Sequence, residues 1–496
     1  MRVLSADEMQ ACDRATCERL GITSFELMRN AAGAVADFAR EHFADARRVT
    51  VLCGRGNNGG DGMAAARLLH LAGLEVTVIL LGTSEGLKGD AAEAWRQLAA
   101  MPGAKVHEVK TAEELARLNV EQKPDLIVDA VLGTGFKPPI KGLALEALKW
   151  VKDAHTPILA VDLPSGWPAD ATSAIVDTPV FPADAVVTFT APKPAHVFGT
   201  LTRRWDQPIV VAPIGSPDEL AISTLGIDWA GSSMELVQAP RDADSNKGKF
   251  GHVLVIGGTF GSAGGKAGAP AMTSLAAMRV GAGLVTAAVP AAAAPVVAAI
   301  APELMTWPLE AAPDGSIAEA NLKTERLAAM LAGKTVLALG PGLGLGAGTI
   351  KYMAGLLAST QIPTVIDADA LNILAANRDL FTELSYNGER TIVLTPHPGE
   401  MARLAGTSVS YIQANRLDAA RSFATQNRLT LVLKGARTLI AHPNGRVAVN
   451  TTGNPGMAKG GSGDLLTGMI AGLLAQYPHD AARAVEAAVY LHGLSA

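Results

Sequence analysis

Short apolar, β-branched runs recur along the chain, separated by longer stretches in which apolar residues return every three or four positions. In the first half the strand-like runs lie at 49–53, 75–81, 126–130, 158–162, 185–190 and 209–212. Several are apolar almost throughout, as strands covered on both faces are. Residues 89–100 and 143–153 between them carry a helical pattern, as do 6–20 and 24–42 ahead of the first strand. Ser5 followed by Glu8 is a capping-box signal for the first of these helices. Such alternation predicts a parallel sheet wrapped by helices. A second α/β run follows, with strands predicted at 252–257, 284–289, 335–339, 364–367, 391–395, 429–434, 438–441 and 446–450. The stretch between the halves is polar and loop-like. The pattern therefore divides the chain into a first domain at 1–228, a linker at 229–245 and a second domain at 246–496. The halves do not repeat one another, so two different α/β domains are expected, each a three-layer α/β/α sandwich.

Composition narrows the class. At 496 residues the chain is longer than one core usually organises. Hydrophobic residues make up 49% and charged ones 18%, which fits a packed enzyme rather than a disordered chain. A net charge of −5 offers no electrostatic reason to bind nucleic acid or an acidic membrane. Cys12, Cys17 and Cys53 form no CxxC pair and no disulfide framework, so a reducing, cytoplasmic setting is expected. The N-terminus has no signal-peptide core, and no apolar run approaches the ~20 residues that span a bilayer. The Ala-rich stretch 287–301, interrupted by Pro290 and Pro295, is expected to be a helix packed in an α/β layer.

Ligands in parallel α/β sheets gather where strands end and helices begin. Four motifs of the first half fall at such ends: GRGNNGGDG at 54–62, DAVLGTGFKPP at 129–139, DLPSGW at 162–167 and TAPKP at 190–194. Their glycines let backbone N–H groups approach a ligand, and a helix N-terminus favours an anion. The first loop has no P-loop lysine, and its GxGxxG spacing alone is a weak signal. Taken singly, Asn57, Asn58 and Asp61 also suit plain turn chemistry, Asp129 a turn cap, and Lys193 a solvated loop. The oxygen-rich set of carboxylate, amide and hydroxyl groups suits a hard cation.

In combination and in this order, GxGNNGGDG, DAxLGTG and DxPSG resemble the N-terminal, epimerase domain of the bifunctional NAD(P)H-hydrate repair enzymes, over nearly all of 1–228. The resemblance implies a Rossmann-like sandwich, a homo-oligomer and a bound potassium ion. It implies Asn58, Asp129 and Ser165 as potassium ligands. It implies Asn57, Asn58, Gly59, Gly60, Asp61, Gly133, Thr134, Gly135, Phe136, Lys137, Pro138, Pro139 and Asp162 as hydrate-binding residues. Arg55 stands where the family usually has proline, which removes none of these groups. Asp162, a strand-terminal carboxylate facing a glycine loop, is the expected catalytic group. It would relay the proton and stabilise the cation formed when C6 of the hydrated ring loses hydroxide.

The densest motif of the second half, GNPGMAKGGSGDLLTG at 453–468, runs from glycines into an apolar helix starting near Gly463. Such a turn stacks free amides at a helix N-terminus as an anion hole. Asp464 at its mouth fits a general base toward a hydroxyl attacking phosphorus, with the amides and a metal carrying the phosphoryl charge. GxGD here resembles the ribokinase-like superfamily. With GPGLG at 340–344, DADAL at 367–371, TPHPGE at 395–400 and KGART at 434–438, residues 240–496 resemble the ADP-dependent NAD(P)H-hydrate dehydratase. That resemblance implies ADP contacts from Lys434, Gly435, Ala436, Arg437, Thr438 and Gly463. It implies hydrate contacts from Ala269, Gly344, His397 and Asp464, and magnesium accompanying the ADP. Plainer readings are a turn histidine at His397, a surface lysine at Lys434, a tight turn at Gly344 and helix caps at Asp367 and Asp369. Glu400 is a candidate for holding a divalent ion through water. Two competing functions are a vitamin or sugar kinase releasing a stable phosphorylated product, and a first domain that binds without catalysis.

Overall fold

The computed structural model describes residues 1–118, 123–261, 264–386 and 390–496. The chain divides into two compact units, Arg2–Gly226 and Ile227–Ala496, the latter taking in Met1. No described helix is long and apolar enough to cross a membrane.

The first unit is built on seven strands, β1 (Arg48–Cys53), β2 (Glu75–Leu81), β3 (Lys105–Val109), β4 (Leu126–Ala130), β5 (Ile158–Val161), β6 (Ala185–Phe189) and β7 (Ile209–Ala212). They pair in the order β3-β2-β1-β4-β5-β6-β7, all parallel. Every residue of β4, β5 and β6 is buried, which is why their sequences are apolar apart from Asp129 and Thr188. Alternation along β1 sends Val49, Val51 and Cys53 into the core under the helices Ser24–His42, Asn57–Leu71 and Gly89–Ala99. Leu52 goes to the opposite face, under the helix Leu143–Ala154. At the start of the helix Ala6–Leu20 the Glu8 N–H donates to Ser5 Oγ at 3.2 Å, and the Ser5 N–H donates to Glu8 Oε2 at 2.9 Å, closing the expected box.

The second unit adds ten sheet strands, β8 (Ile227–Trp229), β9 (His252–Ile256), β12 (Leu284–Pro290), β13 (Met305–Leu309), β14 (Val336–Leu339), β15 (Thr364–Ile366), β16 (Ile392–Leu394), β17 (Thr430–Leu433), β18 (Leu439–Ala441) and β19 (Val447–Val449). A separate two-residue ladder joins β10 (Phe260–Gly261) to β11 (Gly264–Gly265). The sheet order is β13-β12-β9-β14-β15-β16-β17-β18-β19-β8, parallel except where β18 runs against β17 and β19. One core lies between this sheet and the helices Gly268–Arg279, Ser462–Gln476 and Ala481–Leu494.

Four features differ from the sequence pattern. The edge strand β3 (KVHEV) is mostly exposed, so it lacks the apolar run that marks the other strands. The stretch 229–245 is not a free connection. It follows directly on β8, which pairs in parallel with β19, and it folds into a 3-10 turn at Ala230–Met234 and a short helix at Glu235–Gln238. The Trp229 indole N–H donates to Thr451 Oγ1 at 2.9 Å, and Arg446 pairs with Asp228 at 2.6 Å, so polar residues fasten this edge. The Ala-rich stretch is not one helix. It finishes β12 at Pro290, makes one turn at Ala291–Ala293 and is helical only over Ala294–Ala298. Proline at 290 and 295 breaks it. Finally, the helix after β1 starts at Asn57, inside the glycine-rich segment and ahead of the apolar run that begins at Met63.

Candidate functional site

The strand order of the first unit reverses between β1 and β4, where an α/β sheet opens a crevice at its carboxyl edge. Gly54 closes β1. A Cβ there would stand 2.1 Å from the carbonyl oxygen of Val131, so only glycine lets the loops after β1 and β4 touch. The helix Asn57–Leu71 has Gly56 at its N-cap and no described side chain capping it, which leaves its first amides for a ligand. These elements border a cavity of about 1500 Å³. Its wall includes Asn57, Asn58, Asp61, Gly133 through Phe136, and Asp162. Gly59 and Gly60 are buried behind it, and Lys137, Pro138 and Pro139 are not part of the wall.

Beneath the wall, Asp129 and Ser165 are in direct contact. The Ser165 hydroxyl donates to Asp129 Oδ1 at 2.6 Å, its N–H donates to Oδ2 at 2.8 Å, and the Leu132 N–H donates to Ser165 Oγ at 2.8 Å. Burial nevertheless pushes the Asp129 carboxyl up to about 6, against the effect of the Ser165 bonds. Asn58 lies in the first turn of the helix Asn57–Leu71, its side chain against Gly133, and its Nδ2 is buried with no partner among the described residues.

Asp162 terminates β5 with a left-handed φ of 66°, and Thr190 after β6 does the same at 62°. Non-glycine residues seldom adopt this conformation unless their surroundings impose it. Here the imposing contacts are visible. Thr188 Oγ1 and Lys193 Nζ each donate to Asp162 Oδ1 at 2.8 Å. The Lys193 N–H donates to His196 Nδ1 at 2.9 Å, which leaves the proton on Nε2 to donate to the Asp162 carbonyl at 2.7 Å. Burial is the largest single influence and works to raise the Asp162 carboxyl, but the Lys193 ammonium, His196 and the hydrogen bonds from Lys193 and Thr188 together outweigh it and hold the group below the usual carboxylate range. Burial and Lys193 together push His196 down to about 4. Asp61 moves the other way: burial, then Asp162 and Asp13, raise it well above an ordinary carboxylate.

In the second unit the order reverses between β9 and β14, and the motifs again fall at the strand ends around that point. The helix Ser462–Gln476 begins after Gly461, with no described side chain capping it. It can lie against the helix Gly268–Arg279 because residue 468 is glycine: a Cβ there would be 2.1 Å from the Thr273 carbonyl oxygen. Asp464 sits in the first turn, half-buried. Burial raises its carboxyl to about 6, Asp367 adds to the rise and Lys434 opposes it. Lys434 is not a surface lysine. Its Nζ donates to Asp367 Oδ1 at 2.9 Å, lies 3.8 Å from Glu400 Oε2, and stands close to Gly463 at the helix mouth. Burial works to lower Lys434, but Asp367 and Glu400 outweigh it and raise the group. Thr467 Oγ1 donates to Asp367 Oδ2 at 2.8 Å, closing the cluster.

The remaining residues are spread around this centre. Gly344 is held by its N–H donating to Asp369 Oδ2 at 2.9 Å, and Lys266 Nζ donates to the same oxygen at 3.0 Å. Ala269 opens the helix Gly268–Arg279 beside Gly342. His397 is the N-cap of the helix Pro398–Ala405: its Nδ1 accepts from the Gly399 N–H at 3.0 Å, and its own N–H donates to Glu400 Oε2 at 2.8 Å. In the segment 434–438, Gly435 and Arg437 take positive φ, Thr438 Oγ1 donates to the Gly435 carbonyl at 2.8 Å, and Arg437 Nη1 donates to the Thr451 carbonyl at 3.0 Å. Sequence reasoning assigned no site role to Lys193, Thr188 and His196 in the first unit or to Asp367, Thr467 and Asp369 in the second. The motifs TAPKP and DADAL contained three of them, but nothing in a single sequence shows that Lys193 is buried against Asp162.

Comparison with known proteins places both halves. Residues 253–496 match the family model for NAD(P)H-hydrate dehydratase, and residues 24–195 match that for the YjeF-related protein N-terminus. The chain is 40% identical to the bifunctional NAD(P)H-hydrate repair enzyme of Moorella thermoacetica, over 99% of its own length and 91% of that protein. It is 36% identical to the enzyme of the same name from Coxiella burnetii, over 96% and 90%. Among solved structures, the ADP/ATP-dependent NAD(P)H-hydrate dehydratase of Bacillus subtilis, co-crystallised with ATP and magnesium, is 31% identical. It covers 55% of this chain and 89% of that one with a TM-score of 0.45.

Proposed function

We infer that this chain, which belongs to the bifunctional NAD(P)H-hydrate repair enzymes, restores hydrated NADH and NADPH: the first unit interconverts the R and S hydrates, and the second dehydrates the S-hydrate with ADP. One observation carries the chemical reading. A half-buried ammonium, Lys434, and a half-buried carboxyl, Asp464, lie at the N-terminus of the helix Ser462–Gln476, which no described side chain caps. The ammonium and the helix amides suit a phosphoryl group, and the carboxyl suits a hydroxyl nucleophile.

In the second unit Asp464 takes the proton of the C6 hydroxyl, whose oxygen attacks the β-phosphorus of ADP and releases AMP. The phosphate then leaves C6, pushed by the ring-nitrogen lone pair, and the iminium so formed loses a proton from C5 to solvent, which makes the C5=C6 bond and restores the reduced nicotinamide. A carboxyl raised to about 6 suits this work, because a general base is most effective with a pKa near the operating pH. Lys434 and the helix amides carry charge on the transferring group. Lys434, Gly435, Ala436, Arg437, Thr438 and Gly463 hold the ADP; Ala269, Gly344 and His397 hold the hydrate. Among the described residues no group of three or more His, Cys, Asp or Glu is placed to hold a metal. The carboxylates of Asp464 and Asp367 lie beside the nest, and magnesium commonly binds one or two carboxylates together with substrate phosphates. The ion supplies neutralising charge to the ADP phosphates.

In the first unit, loss of hydroxide from C6 leaves a flat iminium, and return from the other face gives the other epimer. Asp162, kept ionised beside Lys193, faces the developing positive charge. The amides at Asn57–Asp61 hold the pyrophosphate. The donors Asn58, Asp129 and Ser165 fit a potassium ion on their chemistry: a buried carboxyl raised for lack of compensation, a hydroxyl on it, and a buried amide whose Nδ2 has no partner among the described residues. Turned over, that amide would offer its oxygen. Potassium supplies the missing compensating charge. The test gives the purified protein R-hydrate or S-hydrate with ADP. S-hydrate should yield reduced nicotinamide at once, with one AMP and one phosphate each, and R-hydrate should follow. A stable phosphorylated organic product, or no recovery from either epimer, would refute the reading.

A further inference from the structure

Three carboxyl residues that the motifs do not contain, Asp13, Glu18 and Asp90, also line the cavity of the first unit, and Asp13 is the one with a buried, unpartnered oxygen among the described residues. Asp13 lies on the helix Ala6–Leu20, ahead of residue 24, where the match to the family model begins. It lines the same cavity as Asp61, Asp162 and Lys193. Met9, Cys12 and Thr16 of the same helix are buried, which fixes the rotation of the helix and hence the place of Asp13. Its Oδ1 is buried and has no hydrogen-bond partner among the described residues. A carboxyl left so in a ligand-sized cavity is unfavourable unless a bound group meets it.

The electrostatics separate the two carboxyls. Burial raises Asp13 to about 6, Lys193 opposes this and Asp162 reinforces it. Asp162 is held low against its own burial by Lys193, His196 and Thr188 together. Asp13 and Asp162, two of the carboxyls lining this cavity, are pushed apart by their surroundings, which suits them to divide the roles of proton carrier and permanent anion.

We propose that Asp13 carries the proton for the C6 hydroxyl during epimerisation, with Asp162 as the anion that faces the cation. The proposal rests on the epimerase reading of the first unit. The C6–O bond breaks with its electron pair on oxygen, which takes the Asp13 proton and leaves as water, while the ring-nitrogen lone pair forms the C6=N bond. In the return step a water oxygen bonds to C6 from the opposite face. The C=N π pair goes back to nitrogen, and the proton set free reaches the Asp13 carboxylate through the water first expelled. No other reactant is consumed.

The test uses the full chain without ADP, so that only epimerisation is followed, and separates the epimers by chromatography. Asp13→Asn should lower kcat for R-to-S conversion by about 100-fold or more, the range of general acid–base catalysis, with KM and melting temperature unchanged. Asp13→Glu should keep part of the rate. The wild-type rate should fall as pH rises through about 6, because the proton donor is lost, and this limb should be missing in Asp13→Asn. The groups acting on Asp13 are Lys193, Asp162 and Arg14, and Asp13 in turn acts on Asp61 and on the Cys12 and Cys17 thiols. An Asn variant that epimerises at close to the wild-type rate overturns the proposal, as does one that loses rate only through KM or stability. Should the Asn variant not fold, a wild-type profile flat between about pH 5 and 7 overturns it. Failure of the wild type to interconvert the epimers instead marks the epimerase reading as wrong, and the proposal falls with it.

Discussion

Asp162 and Asp464 are both strand- or helix-terminal carboxylates out of bulk water, yet their neighbours move them in opposite directions: Asp162 down beside Lys193, Asp464 up to about 6 by burial and beside Asp367. The difference sets what each can do. A base must be ionised to work, so dehydration kcat should rise with pH through about 6 and level off above it; a profile flat across that range contradicts the assignment of Asp464. Lys193 and Asp162 form a buried pair, with side chains 2% and 9% exposed. Replacing Lys193 with Met leaves a buried carboxylate uncompensated and should destabilise the first unit by about 3–5 kcal/mol at pH 7 in denaturant unfolding. Because the folded-state pKa of Asp162 is depressed, this stabilisation is present above the ordinary carboxylate pKa and disappears as pH falls through the folded value, so the two proteins should converge in acid. Both carboxylates were legible in DLPSGW and GGSGD, where glycines flank a carboxylate at an element end. Their partners were not. Lys193 follows Asp162 by 31 positions, and Lys434 follows Asp367 by 67, so only the folded sheet brings them together.

At the scale of elements, the buried strands were readable because both faces are covered, and the misses were edges. β3, β8 and β13 carry charged, polar or proline residues that a central strand would not tolerate. The start of the helix at Asn57 was hidden for a different reason: NNGGDG is poor helix-forming sequence, and packing sets its conformation, with Gly59, Gly60 and Gly62 all buried. Close approach makes testable demands here. Gly468→Ala would drive a Cβ to 2.1 Å from the Thr273 carbonyl oxygen, part of a neighbouring helix backbone. It should cost about 1–3 kcal/mol or more and lower the melting temperature of the second unit, leaving that of the first unchanged. The loops after β4 and β5, joined by Asp129 and Ser165, should be stabilised by potassium. Melting of the first unit should move upward when potassium replaces choline, and Asp129→Asn should remove that response; an unaltered melt in the wild type counts against the ion.

For the whole molecule, each of the two α/β units carries its own set of candidate site residues near the carboxyl edge of its own switch point. That separation explains why one repair function occupies 496 residues, since hydration gives two epimers and a stereospecific dehydratase accepts one. The two-domain organisation was legible from the alternation of strands and helices, because it rests on many residues at once. The edge of the second unit was not, because β8 reads IDW, with a half-buried aspartate and tryptophan in place of an apolar run. The most direct measurement follows recovery of reduced-nicotinamide absorbance from a mixed-epimer hydrate with ADP, for full chains carrying Asp162→Asn or Asp464→Asn and for the two proteins mixed. Asp162→Asn should stop once the S-hydrate is consumed, Asp464→Asn should recover nothing, and the mixture should recover the whole pool. Full recovery at the wild-type rate by either variant alone would contradict the account.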